Sequence, residues 1–149
     1  MERRPGSPIR DKNGNGKWDG TAGGDTLTTA FGVATDRPVV GDWSGNGKAK
    51  VGVWRPSTRQ FLLDKNGNGQ WDGTAGNDLL TAAFGVATDL PVAGDWNSDR
   101  KTEIGVWRPS TRQFLLDKNG NGKWDGTAGG DALSAAFGVA TDLPVTGWW

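Results

Sequence analysis

Asp11-Lys12-Asn13-Gly14-Asn15-Gly16-Lys17-Trp18-Asp19 is the stretch from which the rest of the chain can be read. It returns almost unchanged at Asp64–Asp72 and at Asp117–Asp125, a step of 53 residues each time. Oxygen-bearing side chains fill positions 1, 3, 5 and 9, and glycine fills position 6. That is the opening of the D-x-[DN]-x-[DN]-G pattern by which loops wrap calcium, closed here by Asp at position 9. Alternate side chains converge on one point while glycine supplies the turn. The expected ligands are Asp11, Asn13, Asn15, the carbonyl of Lys17 and Asp19. In the second loop they are Asp64, Asn66, Asn68, the carbonyl of Gln70 and Asp72, and in the third Asp117, Asn119, Asn121, the carbonyl of Lys123 and Asp125. Two carboxylates per ion mean weak binding, in the ~10⁻⁴–10⁻³ M class of extracellular modules, with water completing each shell. The competing reading is a plain turn without metal, since Asn-Gly is itself a strong hairpin signal. A plain turn, however, needs neither the first nor the ninth aspartate.

Working outward, the 53-residue step organises the whole chain. Residues 11–63 and 64–116 are the first two copies, 117–149 a partial third, and 1–10 an N-terminal arm in which a degenerate strand survives. The two full copies differ at 13 of 53 positions, and about half of the differences fall in 44–51 against 97–104. Chemical divergence is therefore concentrated in one short block. Each copy reads as four short strands. Strand a is Pro38–Trp43, recurring at Pro91–Trp96 and Pro144–Trp149; strand b is Lys50–Arg55 and Glu103–Arg108. Strand c is Arg59–Leu63 and Arg112–Leu116; strand d is Thr26–Phe31, Leu79–Phe84 and Ala132–Phe137. In strand b, Val51 and Val53 share one face and Trp54 takes the other. Pro56-Ser57-Thr58 has turn chemistry and makes b and c a hairpin. The Asp11-type stretch is the long c–d connection. An all-β fold of tandem four-stranded antiparallel units follows. The one candidate helical turn, Leu79-Leu80-Thr81-Ala82-Ala83, is too short to stand alone.

Composition narrows the chemistry. With no Cys there is neither a disulfide nor a thiolate ligand, and with no His the commonest general base and zinc ligand are missing. Seventeen basic and seventeen acidic residues balance, leaving no basic excess for nucleic acid and no polybasic run for an anionic membrane. No apolar run approaches the ~20 residues of a membrane span, so no membrane insertion is expected. No signal peptide is visible at Met1-Glu2-Arg3-Arg4-Pro5. No Ser-His-Asp set, P-loop or zinc motif is present, and the acids belong to a pattern repeated three times. An enzyme is not expected.

Phe31-Gly32, then Gly41-Asp42-Trp43, then Val51-Gly52-Val53-Trp54-Arg55-Pro56 resembles the FG-GAP/VCBS repeats of bacterial secreted proteins. The resemblance implies blades of the integrin-type β-propeller and a calcium loop between strands a and b. This chain departs from that pattern. In the first a–b loop Asp42, Ser44 and Asn46 are followed by Lys50 in the closing position, where an ammonium would repel calcium, so no ion is expected. In the second, Asp95, Asn97, Asp99 and Glu103 keep their oxygens, but Arg100 replaces glycine and the loop should be strained. In the third, the opening aspartate has become Trp148. A propeller needs 4–8 blades to close. Two and a fraction must associate or stack, so the expected product is an open-ended assembly completed by other chains.

The leading functional expectation is thus a calcium-stabilised extracellular or cell-surface structural module. It self-associates head to tail, as a ring or a fibre, with homo-oligomer contacts at the incomplete ends and Trp148 and Trp149 docked on a neighbour. The alternatives are a calcium-dependent carbohydrate-binding or adhesin module, with a glycan stacked on Trp18, Trp71 and Trp124, or a non-autonomous fragment of a larger propeller. Trp43, Trp54, Trp96 and Trp107 are expected to pack between sheets, and Arg55 and Arg108 to pair with a nearby Asp or stack on Trp.

Overall fold

The computed structural model describes residues 9–147. The rest of the N-terminal arm, and Trp148 and Trp149 with their expected docking, lie outside the described residues. Within them the chain is all-β. Its strands are β1 (Ile9–Arg10), β2 (Thr26–Leu27), β3 (Arg37–Gly41), β4 (Lys50–Arg55), β5 (Gln60–Leu63), β6 (Leu79–Leu80), β7 (Leu90–Gly94), β8 (Glu103–Arg108), β9 (Gln113–Leu116) and β10 (Ala132–Leu133). Strands β3-β4-β5-β6 form one four-stranded antiparallel sheet and β7-β8-β9-β10 another, while β1 and β2 pair on their own. The registers match: Val39 faces Gly52 and Gly52 faces Leu63 in the first sheet, as Val92 faces Gly105 and Gly105 faces Leu116 in the second. Each sheet draws its strands from both sides of a copy boundary, since β6 follows Asp64 and β10 follows Asp117.

The faces of β4 divide as alternation requires. Trp54 joins Val39, Phe61, Leu63, Phe84, Ile104, Val106 and Leu115 in the core between the two sheets. Val51 and Val53 point the other way, packing with Phe31 and Leu62 under Trp71. Both faces of the strand are therefore buried. The β4–β5 hairpin closes through Arg59, whose φ of 61° lies in the left-handed region and whose N–H donates to the Arg55 carbonyl.

Three expected boundaries are corrected. Strand d is two residues long, because Thr81 leaves the ladder: its hydroxyl oxygen, not a carbonyl, accepts the Phe61 N–H at 3.0 Å, and Ser134 does the same for Phe114. Strand a stops at Gly41 and Gly94, so Trp43 and Trp96 stand beyond it. Each indole folds back over that glycine and donates to a carbonyl of the next strand, Val51 or Ile104. A Cβ at Gly41 would come within 2.7 Å of the Trp43 ring and at Gly94 within 2.4 Å of the Trp96 ring, so the Gly-Asp-Trp sequence is a packing requirement. Residues 143–147 form no ladder, although Pro144–Trp149 was expected to be a third strand a. Nor does the Leu79–Ala83 run coil: three-residue 3₁₀ turns occur instead at Thr21–Gly23, Thr74–Gly76 and Thr127–Gly129.

The sheets are joined by polar contacts as well as by the core. The Asp42 N–H donates to Thr102 Oγ1 at 2.8 Å, and the Thr102 N–H donates to the Asp42 carbonyl at 3.0 Å. Arg37 lies over the Trp54 ring, 5.7 Å from its centroid, and donates to the Asp89 carbonyl. Within each sheet an arginine grips an aspartate two-pronged. Arg55 Nε and Nη2 donate to Asp36 at 3.0 and 2.8 Å, and Arg108 to Asp89 at 3.0 and 2.9 Å, which raises both guanidinium pKa values further.

Candidate metal centres

The three β1–β2, β5–β6 and β9–β10 connections fold alike. The first aspartate collects the loop's own N–H groups. Asp64 Oδ1 accepts from Gly67 and Asn68 and Oδ2 from Gly69, at 2.8 to 3.1 Å; Asp11 and Asp117 repeat this. Asn13, Asn66 and Asn119 accept from the residue two further on and donate to the Gly23, Gly76 and Gly129 carbonyls. The fifth residue closes the ring. The amides of Asn68 and Asn121 donate to Asp72 and Asp125 at 2.5 Å, and Asn15 donates to Asp19 in the same way. The oxygens of those amides accept from Lys17, Gln70 and Lys123 N–H. The closing carboxylate of each loop is thus satisfied from within.

One residue type in these loops escaped the sequence reading. Asp25, Asp78 and Asp131 are buried behind the turns. Asp25 accepts from Lys12 and Asp19 N–H, and Asp78 from Lys65 and Asp72 N–H, tying the loop's two ends together. Asp131 accepts only from Asp125, and its Oδ1 has no partner. The available signal was recurrence at the same 53-residue step, six residues after each closing aspartate.

The β3–β4 and β7–β8 connections differ from these and from each other. In the first, Asp42 Oδ1 accepts from Asn46 N–H and Oδ2 from Gly47 N–H, with Gly45 and Gly47 at φ 70° and 78°. Lys50 reaches into the middle. Its Nζ lies 3.1 Å from Asp42 Oδ1, 2.7 Å from Ser44 Oγ, 2.9 Å from Asn46 Oδ1 and 3.1 Å from the Lys48 carbonyl. Burial pushes the Asp42 carboxyl up, but Gly47 N–H, the Lys50 ammonium and Asn46 N–H outweigh it and bring its pKa down to about 2.

In the second connection Asp95 Oδ1 accepts from Ser98 and Asp99 N–H and Oδ2 from Arg100 N–H, so the backbone path is kept. Ser98 and Arg100 hold it at φ 67° and 73°, at a cost of roughly 1 kcal/mol or more each for residues with a Cβ, so the expected strain is present. Carboxylate oxygens of Asp95, Asp99 and Glu103 lie within 4.8 Å of one another. Among the described residues no cationic side chain forms a salt bridge with any of the three. Glu103 is buried and accepts from Trp96 N–H. Its own burial, together with the charges of Asp99, Asp95 and Asp117, pushes its pKa up to about 7. Burial also raises Asp117 on the far side of the same groove. Of the four expected ligands, Asp95, Asp99 and Glu103 converge, while Asn97 Oδ1 accepts Asp99 N–H. Three carboxylates suit a hard divalent cation that takes only oxygen ligands. The three Asp11-type loops bring two carboxylates each in the loop pattern, the third, Asp25, Asp78 or Asp131, being turned to backbone N–H groups behind the turn.

The tryptophans fall into two groups. Trp54 and Trp107 are fully buried, Trp43 nearly so and Trp96 half-buried. Trp71 and Trp124 stand edge-on to Phe31 and Phe84, with ring centroids 6.2 Å apart in both pairs. Trp18 is 41% exposed. No family model, curated protein or solved structure matches the chain.

Proposed function

We propose that the chain is a calcium-stabilised extracellular structural module, built from FG-GAP/VCBS-type propeller blades of 53 residues, that associates head to tail with copies of itself. The observation that carries this reading is a contact made twice within the chain and offered a third time. Phe31 packs on Trp71 and Phe84 on Trp124, and these pairs lie where successive units meet. Phe137 is the next phenylalanine in the series and is 74% exposed; Trp18 is the first tryptophan of the series and is also exposed. Around Phe137, Val139, Leu143 and Val145 are open as well, although their counterparts one step back include the buried Val92. A second copy that brings its Trp18 to Phe137 would complete the series at both places. Such a contact joins unlike surfaces, so it closes into a ring or continues as a fibre.

Calcium has its best seat at Asp95, Asn97, Asp99 and Glu103. An ion in the Asp11, Asp64 or Asp117 loops would have to displace the amide of Asn15, Asn68 or Asn121 from the closing carboxylate. Those sites belong to the proposal as weaker ones. A glycan platform draws less support, because Trp71 and Trp124 already spend an edge on phenylalanine.

Two blocked variants test the association. Phe137→Asp keeps only the Trp18 surface, and Trp18→Asp keeps only the Phe137 surface. Each alone should be monomeric in sedimentation velocity with calcium, and an equimolar mixture should form a dimer and stop there. A mixture that stays monomeric while the unmodified chain assembles would place the contact elsewhere. An unmodified chain that is monomeric at micromolar concentration would remove the self-association.

A further inference from the structure

The β3–β4 and β7–β8 connections are the same loop built twice with opposite charge at its closing position. Lys50 faces Gly41 across the ladder as Glu103 faces Gly94, and both side chains are buried. The first aspartate takes the fifth and sixth N–H groups in both. What the loops enclose differs. Formal side-chain charges at positions 1, 5 and 9 sum to zero for Asp42, Asn46 and Lys50, and to minus three for Asp95, Asp99 and Glu103 with every acid ionised.

The surroundings of Lys50 Nζ are those of an ion. An ammonium has three N–H donors, yet four oxygens stand within 3.1 Å of this one. They come from alternate residues 42, 44 and 46 and from the carbonyl of 48, the same alternation that wraps a cation in an oxygen-lined loop. A buried ammonium is tolerated only when charge and hydrogen bonds compensate its lost water, and this loop supplies both.

We propose that Lys50 is a tethered cation: its ammonium stands where a metal ion would stand, so the Asp42–Lys50 loop holds its shape without metal, whereas the Asp95–Glu103 loop draws its cation from solution. The first half stands on the Lys50 contacts alone; the second rests on reading Asp95–Glu103 as a calcium site. Asp42 and Thr102 bond the two loops to each other, so the metal-free loop braces the metal-dependent one.

The test compares the unmodified protein with Lys50→Met, Lys50→Glu and Glu103→Lys, by calcium titration calorimetry and by thermal melting in calcium and in chelator. Lys50→Met keeps the stem, removes the charge and should lower Tm equally in both media. Lys50→Glu should bind one more calcium than the unmodified protein and recover its Tm only when calcium is present. Glu103→Lys should bind one fewer and lose part of its sensitivity to chelator. A Lys50→Met protein as stable as the parent, or a folded Lys50→Glu protein with no added site, overturns the tethered cation. Should Lys50→Glu fail to fold, the Lys50→Met melting decides. An unchanged calcium count in Glu103→Lys overturns the Asp95–Glu103 site and leaves the role of Lys50 standing.

Discussion

Phe84 and Phe137 occupy the same place in successive copies, and truncating each to alanine should have opposite consequences. Phe84 has no exposed surface. It meets Phe61 at 6.3 Å and Trp124 at 6.2 Å, both edge-on, and its N–H donates to the Arg59 carbonyl at 2.7 Å. The backbone bond survives the substitution, but the ring leaves a cavity where the two sheets meet. Losses of this kind cost about 3–5 kcal/mol, and for a chain of this length each kcal/mol moves Tm by roughly 2–4 °C. Phe84→Ala should therefore lower Tm by ~10 °C at every protein concentration. Phe137, three-quarters exposed, has little to lose in an isolated chain, where surface truncations fall within ~0.5 kcal/mol. Its effect should appear only where chains associate: Phe137→Ala weakens assembly and removes the concentration dependence of Tm. Thermal unfolding followed by tryptophan fluorescence, over a hundredfold range of concentration, reads both quantities. Equal destabilisation by the two substitutions in dilute solution would refute the argument, because Phe137 would then be packed within its own chain.

Other substitutions probe the supports of the fold. Arg108→Ala strands the Asp89 carboxylate, which has no exposed side-chain surface, and should cost about 3–5 kcal/mol in denaturant melts, with Arg108→Lys recovering only part of it. Asp42→Asn should cost about 1–2 kcal/mol at pH 7. The Asp42 pKa is depressed in the folded state, so this contribution is complete above the ordinary aspartate value of 3.8 and fades as pH falls through about 2. The stability difference between parent and Asp42→Asn should vanish by the acid end of a pH series, and a constant difference would contradict the pairing. Arg100→Gly relieves a left-handed φ of 73° and should raise Tm by a degree or two; a lower Tm would mean that the arginine side chain contributes more than its backbone costs.

Much of this architecture was legible in the chain, for a physical reason: β4 and β8 are buried on both faces and bounded by turn residues. Lys50–Arg55 and Glu103–Arg108 are the strands expected from sequence, and Val51 and Trp54 divide between the faces as expected. Strand d was over-read because its pattern says nothing about a hydroxyl replacing a carbonyl at Thr81 and Ser134. Asp25, Asp78 and Asp131 went unnoticed because their partners are backbone N–H groups, which leave no complementary residue in the sequence. Lys50 was read as a residue that repels an ion. No spacing rule places an ammonium among the oxygens of its own loop.

Sedimentation velocity of the unmodified chain at micromolar concentration, in calcium and again in chelator, tests the central claim most directly. The expected result is a species well above the 15.8 kDa of one chain in calcium, falling towards the single chain when calcium is removed. A single 15.8 kDa species under both conditions would contradict both the head-to-tail contact and its dependence on metal.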